Sequence, residues 1–73
     1  MTPEDAKLAV KALTPKQRQV LMLTAKGFKR PELARLIDRS EKTVDAHRQR
    51  LVEALDVSNL YEACAVAVAA GLV

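Results

Sequence analysis

Helix-start signals recur at short intervals along this 73-residue chain, and almost nothing between them stops a helix. Thr2-Pro3-Glu4-Asp5 offers an N-cap, a proline at the first helical position and two acids in the first turn. Thr14-Pro15 repeats that signal. Ser40-Glu41 places a capping hydroxyl before an acid that suits the positive end of a helix dipole, and Asn59 is a further cap. Only Gly27 and Gly71 interrupt the good helix formers. The chain is therefore expected to be all-α, with short helices over Pro3 to about Ala12, Pro15 to about Lys26, Arg30 to Ile37, Ser40 to Leu55 and Leu60 to about Ala70. Pro31 fits because a first-turn residue has no helical partner for its missing N–H.

Such a chain makes one small domain, near the lower size limit for folding without staples. Hydrophobic residues are 49% of it but aromatics only 3%, so the core must be aliphatic. The lone Cys64 can form neither an internal disulfide nor a cysteine-based zinc site, which suits a reducing cytosol. No apolar stretch is long enough to span a bilayer, and the N-terminus lacks the basic and apolar regions of a signal peptide. These features read as a soluble, cytoplasmic protein with no membrane partner.

Helical periodicity assigns the faces. In the first helix Leu8, Ala12 and Ala9 form the apolar side. In the second, Val20, Leu21, Leu23 and Thr24 turn inward while Lys16, Gln17 and Gln19 face water. Leu13 can staple the start of that helix, and Phe28 plugs the core after Gly27. Leu33, Ala34 and Ile37 are the buried face of the third helix. In the fourth, Val44, Leu51 and Leu55, with the stem of Arg48, point inward, leaving Lys42, Asp45, Ala46, Gln49 and Glu53 outside. The third and fourth helices, joined by a short turn, carry a helix-turn-helix signature.

The last helix, LYEACAVAVAA, is apolar nearly all round. Either it is simply a well-buried C-terminal helix of small residues, or its outer side meets another subunit. The shortage of chain to cover both sides favours the second reading. Tyr61, Cys64, Ala65 and Val68 fall on one side, and Ala63, Ala67 and Ala70 on the other.

The net charge of +3 hides a strong asymmetry. All 12 Lys and Arg residues lie between Lys7 and Arg50, eight of them from Lys26 onward, whereas residues 51–73 hold only acids. One face suits a polyanion and another region does a different job. His47 has no ligand partners at metal spacing and no nearby nucleophile, so a phosphate contact or a structural hydrogen bond explains it better than zinc or catalysis. No glycine-rich phosphate loop, paired carboxylates in a cleft or Ser-His-Asp spacing appears, so neither an enzyme nor a cofactor is expected.

From Leu13 to Leu72 the pieces LTPKQRQVL, AKGFKRPELA, SEKTVDAHRQRL, ALDVSN and EACAVAVAAGL follow one another in order, and together they resemble the LuxR/GerE-type helix-turn-helix domain of bacterial transcription factors. The resemblance implies four helices plus, here, an extra N-terminal one: residues 1–12 the added helix, 13–57 the helix-turn-helix core and 58–73 the dimerisation helix. It implies that the helix from Ser40 is the recognition helix, with Asp45, Ala46 and Gln49 at base-facing positions. Lys42, Thr43 and His47 match residues that hold phosphates or position the helix, Lys29 and Arg30 flank the scaffold helix similarly, and Arg50 completes the DNA-binding set. Tyr61, Cys64, Ala65 and Val68 are the implied dimer interface. Gln49 can pair bidentately with adenine, and Asp45 can accept from a cytosine amino group.

The chain departs from the family pattern in several places. Asp45 stands where the family usually has Lys or Arg, Glu53-Ala54 replaces a basic pair, Leu60 replaces a frequent Arg and Gln17 a common Glu. Each missing cation lowers the salt dependence of DNA binding by about 0.9 in slope. The leading expectation is a small, stand-alone homodimeric regulator that reads a pseudo-palindrome in double-stranded DNA, controlled through abundance, partner choice or competition. The alternative is a protein-interaction module of the same fold, an antiactivator or coactivator that pairs with a longer family regulator or with RNA polymerase. A resemblance to the promoter-reading module of sigma factors, which shares LTPKQRQVL, is opposed by the extra helix after Val57.

Overall fold

A computed structural model describes residues 1–73 and contains five helices and no strand. They are α1 (Pro3–Lys11), α2 (Pro15–Ala25), α3 (Arg30–Leu36), α4 (Glu41–Ala54) and α5 (Leu60–Ala69). Each expected cap is made. The Thr2, Thr14 and Ser40 hydroxyls accept the N–H groups of Asp5, Gln17 and Thr43, each at 3.1 Å. Asn59 Oδ1 accepts from the Glu62 N–H at 2.9 Å. Gln17 also returns the bond, its Oε1 accepting the Thr14 N–H at 2.9 Å, so an amide completes this capping box as well as a carboxylate could. At α3 only that second half exists: Glu32 accepts the Lys29 N–H at 2.9 Å, because the capping residue Lys29 has no acceptor to offer in return.

Helices α2 to α5 all stop in the same way. The second residue beyond the cap donates back to the third-last carbonyl, as in Phe28 N–H to Leu23 O at 3.1 Å and Leu72 N–H to Ala67 O at 3.0 Å. This wrap needs a left-handed residue. Gly27 and Gly71 supply it for α2 and α5, and Asp38 (φ 54°) and Asp56 (φ 55°) supply it for α3 and α4. Aspartate is among the few non-glycine residues that enter this region.

Fourteen residues are buried and all are apolar; Val20, Leu21, Leu33, Val44 and Leu51 are the largest fully enclosed ones. Helices α2, α4 and α5 pack on one another, and α3 packs on α2 and, as the other half of the helix-turn-helix, on α4. Burying a Leu or Val side chain contributes roughly 1.5–3 kcal/mol, so these five side chains, from α2, α3 and α4, hold those helices together. Arg48 crosses from α4 to the rest of the bundle, its Nε 3.4 Å from Thr24 Oγ1 and Nη2 3.5 Å from the Phe28 carbonyl, as its inward position in the sequence implied. Phe28 and Leu23 are half-buried against the core.

The apolar side of α1 is not the expected one. Ala6 and Val10 are buried, whereas Leu8 is 67% exposed and Ala12 lies outside. Both stripes satisfy a four-residue spacing. The neighbour decides between them: α1 packs on α5, whose buried residues Ala63, Val66 and Ala67 are small enough to favour close approach by Ala6 over a bulky Leu. Arg18 then fastens α1 to α2, its Nη1 donating to the Leu13 carbonyl at 2.5 Å and the Lys11 carbonyl at 3.2 Å. No helix is long and apolar enough to cross a membrane.

Candidate nucleic-acid interface

With Val44, Leu51 and Leu55 held inside, the remaining sides of α4 divide into an outer ridge and two flanks. Lys42, Ala46, Gln49, Arg50 and Glu53 form the ridge and are all exposed. The ridge is partly self-satisfied, since Gln49 Nε2 donates to Glu53 Oε1 at 3.1 Å. Ala46 presents only a methyl group.

One flank carries Thr43 and His47. Thr43 is half-buried, and its hydroxyl lies 3.0 Å from that of Ser40. The pKa of His47 is pushed below the usual histidine value, first by partial burial, then by the positive charges of Arg50, Lys16 and Arg39. Those three cations come from α4, the start of α2 and the turn before α4, so the fold gathers on this flank charges that are scattered in the sequence. A neutral imidazole amid three cations is an anion-binding environment. Lys16 and Arg39 were not among the residues singled out from the sequence. Only the packing of α2 against α4 brings Lys16 there, and periodicity alone leaves it facing water.

The other flank carries Glu41 and Asp45, four residues apart, and meets the start of α3. Arg30 Nε donates to Asp45 Oδ1 at 2.9 Å and Nη2 to Oδ2 at 2.6 Å, and Nη1 lies 3.5 Å from Glu41 Oε1. These are the molecule's only ion pairs. Thus two residues with separate expected roles, Arg30 on phosphate and Asp45 on a base, are joined to each other. Lys29, beside Arg30, is exposed and unpaired.

The expected dimer residues lie on α5, whose start adjoins α4. Tyr61 is 89% and Val68 61% exposed, Ala65 is exposed and Cys64 half-buried. Burial pushes the Cys64 thiol pKa up, against a smaller opposing effect of the Arg48 cation, so it is a poor nucleophile. Helix α1 covers part of α5 but leaves these side chains open. No three of the His, Cys, Asp and Glu side chains converge as a metal site would require.

A scaffold helix, a tight turn and a second helix with a cation-flanked outer face define a helix-turn-helix domain of the DNA-binding class. The family described as bacterial regulatory proteins, luxR family (GerE), matches residues 11–67, and the chain belongs to that family. The chain is also 38% identical over 55 residues to the tetrathionate response regulatory protein TtrR of Salmonella typhimurium. That match takes in 75% of this chain but spans only 27% of the relative's length. Fold and family together make this a DNA-binding domain of the transcription-regulator type. The family match begins at Lys11, so nearly all of α1 lies outside it.

Proposed function

We propose that the chain reads specific DNA sequences as a homodimer, with α4 lying in the major groove and α5 joining the two copies. The observation that carries this reading is the exposed outer ridge of α4, where Lys42, Ala46, Gln49 and Arg50 stand clear of the core that holds Val44 and Leu51; the positive field of Arg50, Lys16 and Arg39 at His47 supports it. A helix fits the major groove, and cations at its margin neutralise phosphates while ridge side chains reach base edges. Ala46 and Gln49 are then the base-facing residues, with Lys42, Thr43, His47, Arg50 and Lys29 on or near the backbone. Residues 13–57 form the reading core, and 58–73 the dimer helix that presents Tyr61, Cys64, Ala65 and Val68. Half-sites would lie roughly one helical turn apart. Such a protein works where the chromosome is, in the bacterial cytoplasm, and needs neither cofactor nor catalysis.

The test is selection of sites from random-sequence duplex DNA at two salt concentrations. Enrichment of a two-fold symmetric motif, with affinity falling as salt rises, is the expected result. No binding even at low salt rejects the reading. A second reading draws on the neutralised Arg30 flank and the bare α5 face: the same fold serving as an interaction module for a longer family regulator or RNA polymerase. Asp45→Lys separates the two, since it strengthens DNA binding in the first case and leaves a protein partner's binding unchanged or weaker in the second.

A further inference from the structure

Arg30 occupies the first position of α3, at the edge of the α4 face, where a free guanidinium would be a ready phosphate ligand. It is not free. Its fork is closed on Asp45 by two parallel hydrogen bonds of 2.9 and 2.6 Å, and its remaining nitrogen faces Glu41 at 3.5 Å. The three side chains are each about half exposed (48%, 51% and 48%), so the arrangement adds little to stability, and its main consequence is electrostatic. One cation between two carboxylates leaves this cluster of three with a net negative charge. The opposite flank, around His47, is positive.

We propose that Asp45 is a specificity-determining residue that acts through Arg30, serving as its built-in counterion and withholding it from the DNA backbone. The proposal rests on α4 being the helix that meets DNA. A phosphate can take Arg30 only by displacing Asp45, and the stranded carboxylate must then acquire a counterion of its own. The usual release of ions on phosphate neutralisation is cancelled. Sequence-independent binding is thereby reduced, because it depends almost wholly on such contacts, while the base-edge contacts of the ridge are untouched. The family's usual cation at position 45 would do the opposite. Asp45 thus trades total affinity for discrimination between sites.

A double-mutant cycle over Asp45→Ala and Arg30→Gln tests this, with affinity for random-sequence duplex measured over a range of salt and compared with affinity for a selected site. Both positions are exposed and alanine is the best helix former, so the fold is retained. Asp45→Ala alone is expected to tighten random-duplex binding about tenfold, steepen the salt slope by about 0.9 and narrow the gap between selected and random sites. Arg30→Gln alone is expected to leave the salt slope unchanged, because Arg30 makes no phosphate contact, although affinity falls as Asp45 and Glu41 lose their counterion. The double variant is expected to keep the parent's slope. A steeper slope from Asp45→Ala that persists in full without Arg30 would show that Asp45 acts only through its own charge, which overturns the proposal. So would a shallower slope in Arg30→Gln alone, or an unchanged slope in Asp45→Ala. If neither the parent nor any variant binds DNA at low salt, the DNA reading fails and this inference with it; if all bind equally, only the inference fails.

Discussion

Helices α4 and α5 both turn a long exposed side to water, but they leave it in opposite states. Along α4 several polar groups are partnered within the molecule, Asp45 with Arg30, Gln49 with Glu53 and Ser40 with Thr43, while the cations Lys42 and Arg50 stand exposed without an ion pair. Along α5 Glu62 is taken up by the Ser58 N–H at 2.7 Å, and the other exposed groups, Tyr61, Ala65 and Val68, present mostly apolar surface that gains by being covered. At Asp45 and Gln49 the α4 face must therefore exchange existing bonds to take a ligand, which favours selectivity. The α5 face gains from almost any apolar contact of fitting shape, which favours a constant partner such as a second copy of itself. Reading a site and holding a dimer make different demands, and the chain assigns them to different helices.

Both faces rest on one core, so the largest effect comes from undermining both together. Leu51 is fully buried under α4, in the core that α2 shares with α5. Leu51→Ala is expected to cost about 2–5 kcal/mol, a large part of the stability of so small a domain. Thermal unfolding followed by circular dichroism should show the loss, with DNA binding and self-association disappearing together. If either survives intact, the two faces do not share a foundation.

The next effect separates them. Val68→Glu places a charge on the bare α5 face without touching α4. On the dimer reading it is expected to weaken self-association by about a hundredfold or more, roughly 3 kcal/mol for an unpaired charge at a contact. Sedimentation velocity should report a monomer at concentrations where the parent is dimeric, while a half-site duplex is still bound. An unchanged sedimentation coefficient would mean that α5 is not the dimer face.

What could be read from the sequence follows the same division. Helix number, the caps at Thr2, Thr14, Ser40 and Asn59, and the buried Val44, Leu51 and Leu55 were legible because each depends on neighbours within a turn or two. Three features were not. The rotation of α1, with Ala6 inward in place of Leu8, depends on the small residues that α5 offers it, and periodicity cannot choose between two stripes of equal spacing. The pairing of Arg30 with Asp45 spans 15 residues and needs α3 and α4 in register. The cation cluster at His47 likewise depends on where α2 delivers Lys16. Outside α1, side chains could be assigned to faces from the sequence, but their partners across helices could not.

A smaller effect reports on the His47 flank alone. In the free protein partial burial and, after it, the neighbouring cations lower the imidazole pKa and so favour its neutral form. A phosphate placed there would stabilise the charged form, raising the pKa, so DNA binding should take up a proton. Affinity is then expected to rise as pH falls through the neutral range, by at most tenfold per pH unit, and to level off once the free protein is itself protonated. His47→Gln should flatten the profile. The sign for folding is the reverse: because the folded pKa lies below the unfolded one, His47 favours the fold above about pH 6.5 and loses that contribution as pH falls through the folded value. Binding and stability should therefore move in opposite directions on mild acidification, which fluorescence titration and urea unfolding at matched pH values can check.

The smallest expected effect lies at the joint between the two helices. Asp56 holds the turn from α4 to α5 at φ 55°, a conformation that disfavours any side chain, and it puts a negative charge at the negative end of the α4 dipole. Asp56→Gly relieves both but gives the unfolded chain more freedom, so the expected net gain is only about 0.5–1 kcal/mol. Asp56→Asn removes the charge while keeping a residue that tolerates the conformation, so comparing the two variants in urea divides the gain between charge and backbone. Neither substitution touches the α4 ridge, the Arg30 pair or the open side of α5, so DNA affinity and self-association should stay at parent values while the unfolding midpoint rises. A change in either function would mean that the turn does more than join the helices, and that the angle it sets between reading and dimer helices is itself matched to the spacing of half-sites.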